Sequence, residues 1–298
     1  MSNKGWRYWF NLGGFGLVVL GGVFVAGLAG ASYRSTMRYL QPSRQGQTVT
    51  ETPSLYGVGY ENIRLLTSDG FELSAWYTSP QNGSLILVPH GHGERRSVDQ
   101  YLMYAQNGYG VLAWDFRAHG ESGGEMSTLG FHEALDVEAA LDYGLRQEDV
   151  KHIGAWGGSM GAVAVIELAA RRVEIEAVVV DSAFPTLEDE LRLAVSNNVF
   201  LPFIRFFAEK KAGVDMDLLR PVDRIGDLSP RPIMIIQGEA DHMIPVNSGQ
   251  RLYEAAGEPR YLWTEAEANH VGMFSRYPEK YEELVVGFFD EYLLQGGE

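Results

Sequence analysis

Gly157-Gly158-Ser159-Met160-Gly161 follows a short apolar run at 153–156 (Ile-Gly-Ala-Trp) and leads straight into a helix-like run at 162–170. A strand, a sharp turn and a helix in that order are what a nucleophile elbow requires. Such a turn forces Ser159 into a strained backbone conformation. Positions 157 and 161 must be small, because side chains there would strike the neighbouring strand and helix. The serine oxygen would stand at the tip of a sheet, where the helix N-terminus favours developing negative charge. The chain holds 35 glycines in 298 residues, so the Gly-x-Ser-x-Gly spacing alone is weak. A second copy, Gly120-Glu121-Ser122-Gly123-Gly124, lacks the context. Arg117-Ala118-His119 separates it from the strand-like run 111–116, and no helical run follows. Ser122 is therefore expected to be a turn residue.

Outward from the elbow, strand and helix patterns alternate. Runs 60–66 and 71–78 flank the turn signal Ser68-Asp69-Gly70 and predict an antiparallel hairpin. Leu85-Ile86-Leu87-Val88 is a continuous apolar run of the kind a central parallel strand shows. Helices are expected at 98–106, 132–146, 246–256 and 278–294, and further strands at 111–116, 177–180, 233–237 and 260–264. That rhythm implies an α/β fold with a mostly parallel sheet and helices on both faces. Residues 185–221 break it. They hold no clear strand and carry Val199-Phe200-Leu201-Pro202-Phe203-Ile204. A helical cap inserted over the C-terminal ends of the strands, where open α/β sheets bind ligands, is expected there.

A serine nucleophile needs a base, a carboxylate to orient that base, and donors for the oxyanion. In an elbow of this kind the order along the chain is Ser, then Asp or Glu, then His. Asp241, in Gly238-Glu239-Ala240-Asp241, follows the strand 233–237. His270 lies between the strand 260–264 and the last helix. Only His242 and His270 follow Asp241, and His242 adjoins it in sequence, so His270 is the candidate base. Asp181, at the end of the strand 177–180, is the alternative acid. His90-Gly91-His92-Gly93 follows the strand ending at Pro89. A glycine-rich loop there lets backbone N–H groups approach a substrate oxygen, and the amides of His92 and Met160 are the expected donors. Asp115-Phe116-Arg117-Ala118-His119-Gly120 is expected to hold neighbouring loops through its polar groups.

The pieces HGHGE (90–94), DFRAHGESGG (115–124), GGSMG (157–161), VDSAF (180–184), GEADHMIP (238–245) and NHVGMF (269–274) together resemble the α/β-hydrolase superfamily, in its membrane-anchored, lipase- or serine-aminopeptidase-like branch. The resemblance spans about 60–294. It implies a Ser159–His270–Asp241 triad, no metal or organic cofactor, and Asp181 in a structural role. One such fold hosts many substrates. The expected activity is hydrolysis of carboxylic ester or thioester bonds through an acyl-enzyme, on a small acyl or lipid-like substrate. The alternatives are a peptidase or aminopeptidase acting on amides, and a non-catalytic membrane receptor on the same fold. A metal hydrolase using His90, His92 and Glu94 lacks a matching downstream ligand set.

Composition bounds the rest. A formal net charge of −15 leaves no basic excess for nucleic acid. The absence of cysteine excludes disulfides and thiol catalysis. No charged residue occurs between Arg7 and Arg34, and residues 12–31 are mostly apolar. Their length suits a ~30 Å hydrocarbon layer. Trp6, Tyr8, Trp9, Tyr33 and Tyr39 flank the run as interfacial anchors would. Residues 1–40 are thus expected to be an N-terminal membrane anchor, or a signal peptide given Ala29-Gly30-Ala31. Residues 41–57 read as a polar linker and 58–298 as the catalytic domain. A single-pass protein with an extracytoplasmic domain follows, or a secreted one if the segment is cleaved.

Overall fold

A computed structural model describes residues 4–45, 48–194 and 198–295, with side chains from residue 20 onward except at 194 and 198. Eight strands form one sheet: β1 (Glu61–Leu66), β2 (Glu72–Thr78), β3 (Ser84–Val88), β4 (Gly110–Trp114), β5 (His152–Gly158), β6 (Ala177–Asp181), β7 (Ile233–Gly238) and β8 (Arg260–Glu265). Their order is β1-β2-β4-β3-β5-β6-β7-β8. The expected hairpin pairs β1 with β2, antiparallel. From β4 across to β8 every pairing is parallel.

Successive side chains of a strand point to opposite faces, and the central strands use both. Leu85, Leu87, Ala155 and Val178 pack in one apolar cluster with Val137, Val165 and Leu252. Ile86, Val88, Trp156 and Val179 pack in another with Tyr101, Tyr104 and Phe289. The first face is covered by α3 (Glu133–Gly144), α4 (Met160–Ala169) and α8 (Ser248–Ala255), the second by α2 (Val98–Gln106) and α10 (Pro278–Phe289). Burial on both faces is why these strands read as unbroken apolar runs.

Between β6 and β7 the chain forms α5 (Leu187–Ala194), α6 (Leu201–Ala212) and α7 (Pro221–Arg224). This is where a cap was expected, and it carries its own apolar cluster. Leu187, Leu191, Ile204, Ala208 and Met216 gather there with Leu129 and Val163. Four-residue α9 (Met273–Arg276) precedes α10.

The N-terminal segment expected to be an anchor is helical. Helix α1 runs unbroken over Lys4–Leu40. Its last turns lie on the cap: Ser32, Thr36 and Leu40 are buried, and the Tyr33 and Phe207 rings meet edge to face at 5.3 Å. Among the described residues no helix is long and apolar enough to cross a membrane, so the expected transmembrane helix is not identified. The first eight residues of the expected span, 12–19, lie outside the described side chains. In the segment after α1, Arg44 donates to the carbonyl of Gly124 at 2.7 Å.

Candidate active site

Because β3 to β8 run the same way, the loops that follow them gather at one edge of the sheet. Ser159 sits between β5 and α4 with φ 51° and ψ −121°, a conformation that costs a non-glycine residue of order 1–3 kcal/mol. Its surroundings leave it no alternative. A Cβ at Gly157 would lie 2.6 Å from the Gly161 backbone, and one at Gly161 would lie 2.7 Å from the His90 carbonyl oxygen. The Ser159 amide is tied to the Asp181 carbonyl at 2.8 Å.

The three residues singled out in sequence come together. Ser159 Oγ is 2.9 Å from His270 Nε2, and His270 Nδ1 is 2.8 Å from Asp241 Oδ2. An ionised carboxylate only accepts, so Nδ1 carries the proton and Nε2 is left to accept the serine hydroxyl. Asp241 is fixed in turn: its Oδ1 accepts the amides of Met243 at 2.8 Å and Ile244 at 2.9 Å. Burial opposes the charge on both groups. For Asp241 the His270 hydrogen bond and charge and the two amides outweigh it, and its pKa falls below the usual carboxylate value. For His270 the Asp241 hydrogen bond and charge outweigh burial, and the imidazole pKa rises. His242 is exposed and takes no part.

The loop after β3 lies against the nucleophile: a Cβ at Gly91 would be 3.5 Å from Ser159 Cβ. Two buried histidines hold it. His90 Nδ1 bonds the Gly91 carbonyl at 2.7 Å, and its Nε2 accepts the Phe116 amide at 3.0 Å. His119 Nδ1 bonds the Arg117 carbonyl at 2.8 Å, and its Nε2 accepts the Gly93 amide at 3.0 Å. An Nε2 that accepts is unprotonated, so both rings are neutral. Burial lowers both pKa values, which agrees. Among the described residues no hydrogen bond uses the amides of His92 or Met160. The Asp115–Gly120 loop acts as expected. Asp115 pairs with Arg96, and Arg117 with Asp136 and Asp69. Ser122 is buried, donating to the Asp115 carbonyl and accepting the Ser74 amide.

Asp181 makes no hydrogen bond to His270. Its Oδ1 accepts from Ser182 Oγ at 3.0 Å, and its Oδ2 from Tyr281, which accepts from Trp156. Ser182 Oγ also accepts the Val271 amide at 3.0 Å. Both Ser182 (φ 56°) and Val271 (φ 49°) are left-handed, so this bond fixes the backbone next to the imidazole. Burial pushes the Asp181 carboxyl up to about 7. Sequence marked only the end of β6. VDSAF held Ser182 without marking its role, and nothing in the sequence announced Tyr281, whose partners Trp156 and Asp181 lie 125 and 100 residues away.

On the cap, Glu190 has a buried Oε2 with no hydrogen-bond partner. Burial pushes its pKa up to about 7, and its charge reaches His270. A polar cleft of about 630 Å³ opens beside His270, Gly158 and Glu94. An apolar slot lies between the end of α1 and the cap. Among the described residues no group of His, Asp or Glu is arranged to hold a metal ion.

Residues 80–214 match the family model described as serine aminopeptidase, S33. The chain is similar to YfhR of Escherichia coli (strain K12), 25% identical over 241 residues, with 76% of this chain and 80% of that one covered. It is also similar to the alpha/beta hydrolase domain-containing protein WAV2 of Arabidopsis thaliana, 26% identical over 295 residues, with 91% and 92% covered. Among solved structures it resembles the Pyrococcus furiosus esterase Pf2001, at 28% identity and TM-score 0.70, covering 86% of this chain and 98% of that one. With the elbow, the parallel sheet and the helices between β6 and β7 on the same chain, these likenesses place it: the protein belongs to the α/β-hydrolase superfamily.

Proposed function

We propose that the protein is a serine hydrolase that cleaves carboxylic ester or thioester bonds through an acyl-enzyme on Ser159. The observation that carries this is the unbroken relay from Ser159 Oγ to His270 Nε2 at 2.9 Å and from Nδ1 to Asp241 at 2.8 Å, on a serine held at φ 51°. His270 Nε2 takes the hydroxyl proton as Oγ adds to the acyl carbon. The amides of His92 and Met160 donate to the oxyanion. As the carbonyl re-forms, the bond to the alkoxide or thiolate breaks and His270 returns its proton to that leaving group. A water then repeats the sequence on the acyl-enzyme, losing its proton to His270 and releasing the acid. The imidazolium formed in each half is stabilised by Asp241. The likeness to an esterase supports this reading, and the apolar cap and slot favour an acyl or lipid-like substrate. Replacing Ser159 by Ala should abolish hydrolysis of p-nitrophenyl acetate, and undiminished turnover in that variant would end the proposal.

One observation favours an amide-cleaving aminopeptidase instead. Glu190, whose buried Oε2 has no hydrogen-bond partner and whose charge reaches His270, could accept from a substrate ammonium, and the matching family model bears that description. Comparing an aminoacyl p-nitroanilide with the acetate ester separates the two.

Residues 12–31 are proposed to anchor the protein in a membrane, with the catalytic domain outside. Leu20, Val23, Phe24 and Val25 of α1 are 51–68% exposed, an apolar surface that water disfavours. Removal of the segment would instead release the domain. Sodium carbonate extraction of membranes tests anchoring. Recovery of the full chain in the supernatant would reject it.

A further inference from the structure

The last turns of α1 touch His92, one expected oxyanion donor, and reach the other, Met160, through Ser127. Tyr39 lies over the His92 ring, with centroids 6.4 Å apart and planes within 20°. The Leu40 carbonyl accepts the Ser127 amide at 2.7 Å, and Ser127 Oγ lies 3.4 Å from Met160 Sδ. Thr36 Oγ1 reaches across to the carbonyl of Ile204 on α6 at 3.4 Å. Thr36, Tyr39 and Leu40 form one wall of the apolar slot, and Leu191, Ile204 and Ala208 of the cap form the other. The slot holds only about 30 Å³, room for a water or a methyl group. Its polar lining is nearly nil, so water gains little by filling it.

Resting on the acyl-enzyme reading above, we infer that the end of α1 is a working part of the catalytic site: Tyr39 is a positioning residue for the His92 loop, and the seam between α1 and the cap receives the substrate's acyl chain. Tyr39 both stacks on His92 and lines the slot, so this ring joins the loop that carries the His92 amide to the apolar space of the seam. Gly91 and Gly93 flank His92 and supply no side-chain packing. The His92 ring is packed edge-on by the His119 ring at 5.4 Å on one side and stacked by Tyr39, so Tyr39 is one of two rings that steady the part of the loop that carries the donor amide. A displacement of about 1 Å at such a site can cost 10²-fold in rate. The seam is narrow at rest, so the volume of its lining side chains sets how long a chain enters without parting α1 from the cap.

The test uses the full chain in detergent micelles, with p-nitrophenyl acetate and p-nitrophenyl octanoate. Tyr39→Ala should lower kcat for both esters about tenfold or more, with KM for the acetate within about twofold. Tyr39→Phe, which keeps the ring, should restore kcat. Ile204→Ala, which widens the seam, should raise the octanoate-to-acetate ratio of kcat/KM at least about threefold, and Ala208→Phe should lower it. Tyr39→Leu replaces Tyr39→Ala if thermal melting finds that variant unfolded. Unchanged kcat in Tyr39→Ala, a Tyr39→Phe as poor as Tyr39→Ala, or a ratio indifferent to both cap substitutions would overturn the inference. The rate of Ser159 labelling by a fluorophosphonate, which also needs the oxyanion donors, gives the same comparison without an ester. Wild-type protein that neither hydrolyses nor labels at Ser159 would fail the reading. Ser159-dependent activity blind to Tyr39 would fail only the inference.

Discussion

Gly161→Ala tests whether the elbow and the oxyanion loop are one rigid unit. The added methyl carbon would lie 2.7 Å from the His90 carbonyl oxygen and 3.1 Å from that of Pro89. Ordinary contact begins near 3.4 Å, so the loop must retreat by about 0.7 Å. It cannot do so freely. His90 is bonded to the Phe116 amide, and Gly93 to His119, each at 3.0 Å. Overpacking against backbone costs about 1–3 kcal/mol. The same retreat would displace the loop that carries the His92 amide, one of the two proposed oxyanion donors. Complete loss of one oxyanion donor costs ~10²–10³ in kcat, so a partial displacement should cost about 10- to 100-fold. The assay is kcat and KM for p-nitrophenyl acetate alongside a thermal melt. The expected result is a lowered kcat, a nearly unchanged KM and a Tm lower by several degrees. Gly287→Ala on α10, where an added carbon meets nothing within 4 Å, is the matched control. It should leave kcat alone and stabilise slightly, since helical Ala is favoured over Gly by ~0.5–1 kcal/mol. A Gly161→Ala protein with wild-type kcat and Tm would refute the argument.

Asp241→Asn should lower kcat by roughly 10⁴, the scale of the analogous change in serine proteases. The Met243 and Ile244 amides would keep the amide oxygen, turning the NH₂ to His270 and forcing the proton onto Nε2. Activity within tenfold of wild type would contradict this assignment. kcat/KM should fall as pH drops through the His270 pKa, raised above its ordinary 6.5, because imidazolium cannot take the serine proton. Glu190 contributes to that raised value, so Glu190→Gln should move the acid limb to lower pH, and a limb that stays or moves up would count against the coupling. Buried Glu133 accepts from Ser127, Thr128 and Gly130, and those bonds outweigh burial to lower its pKa. Its stabilisation is therefore present above the unfolded carboxyl pKa near 4.5 and drains as pH falls through the depressed folded value. Glu133→Gln should cost at least about 2 kcal/mol at pH 7 in urea melts. The difference should shrink below pH 4.5, and a constant difference would reject the linkage.

What was legible from sequence follows a physical division. Ser159, Asp241 and His270 were readable because each closes a strand of one parallel sheet, so chain order alone fixed which loops share an edge. Gly157 was readable because its crowding by Gly161 is local, whereas the crowding of Gly161 by the distant His90 carbonyl was not. Tyr39 over His92 was not. It depends on α1 continuing past the apolar run and folding back against α6, and nothing in the polar-looking segment near residue 40 encodes that contact. Glu190 was likewise hidden, since Glu188-Asp189-Glu190 reads as a solvated acidic patch, whereas the fold buries one carboxylate oxygen of Glu190. Ser182 and Val271 sat inside quoted motifs, but their shared role escaped because a left-handed conformation at a non-glycine residue leaves no compositional mark.

The most direct measurement is to quench the full chain within milliseconds of mixing with p-nitrophenyl acetate and locate the acetyl group by peptide mass. The account predicts a transient acetyl adduct on the peptide carrying Ser159, absent from Ser159→Ala and accumulating in Asp241→Asn only far more slowly. Hydrolysis that proceeds with Ser159 unmodified at every quench time, or persists in Ser159→Ala, would contradict it.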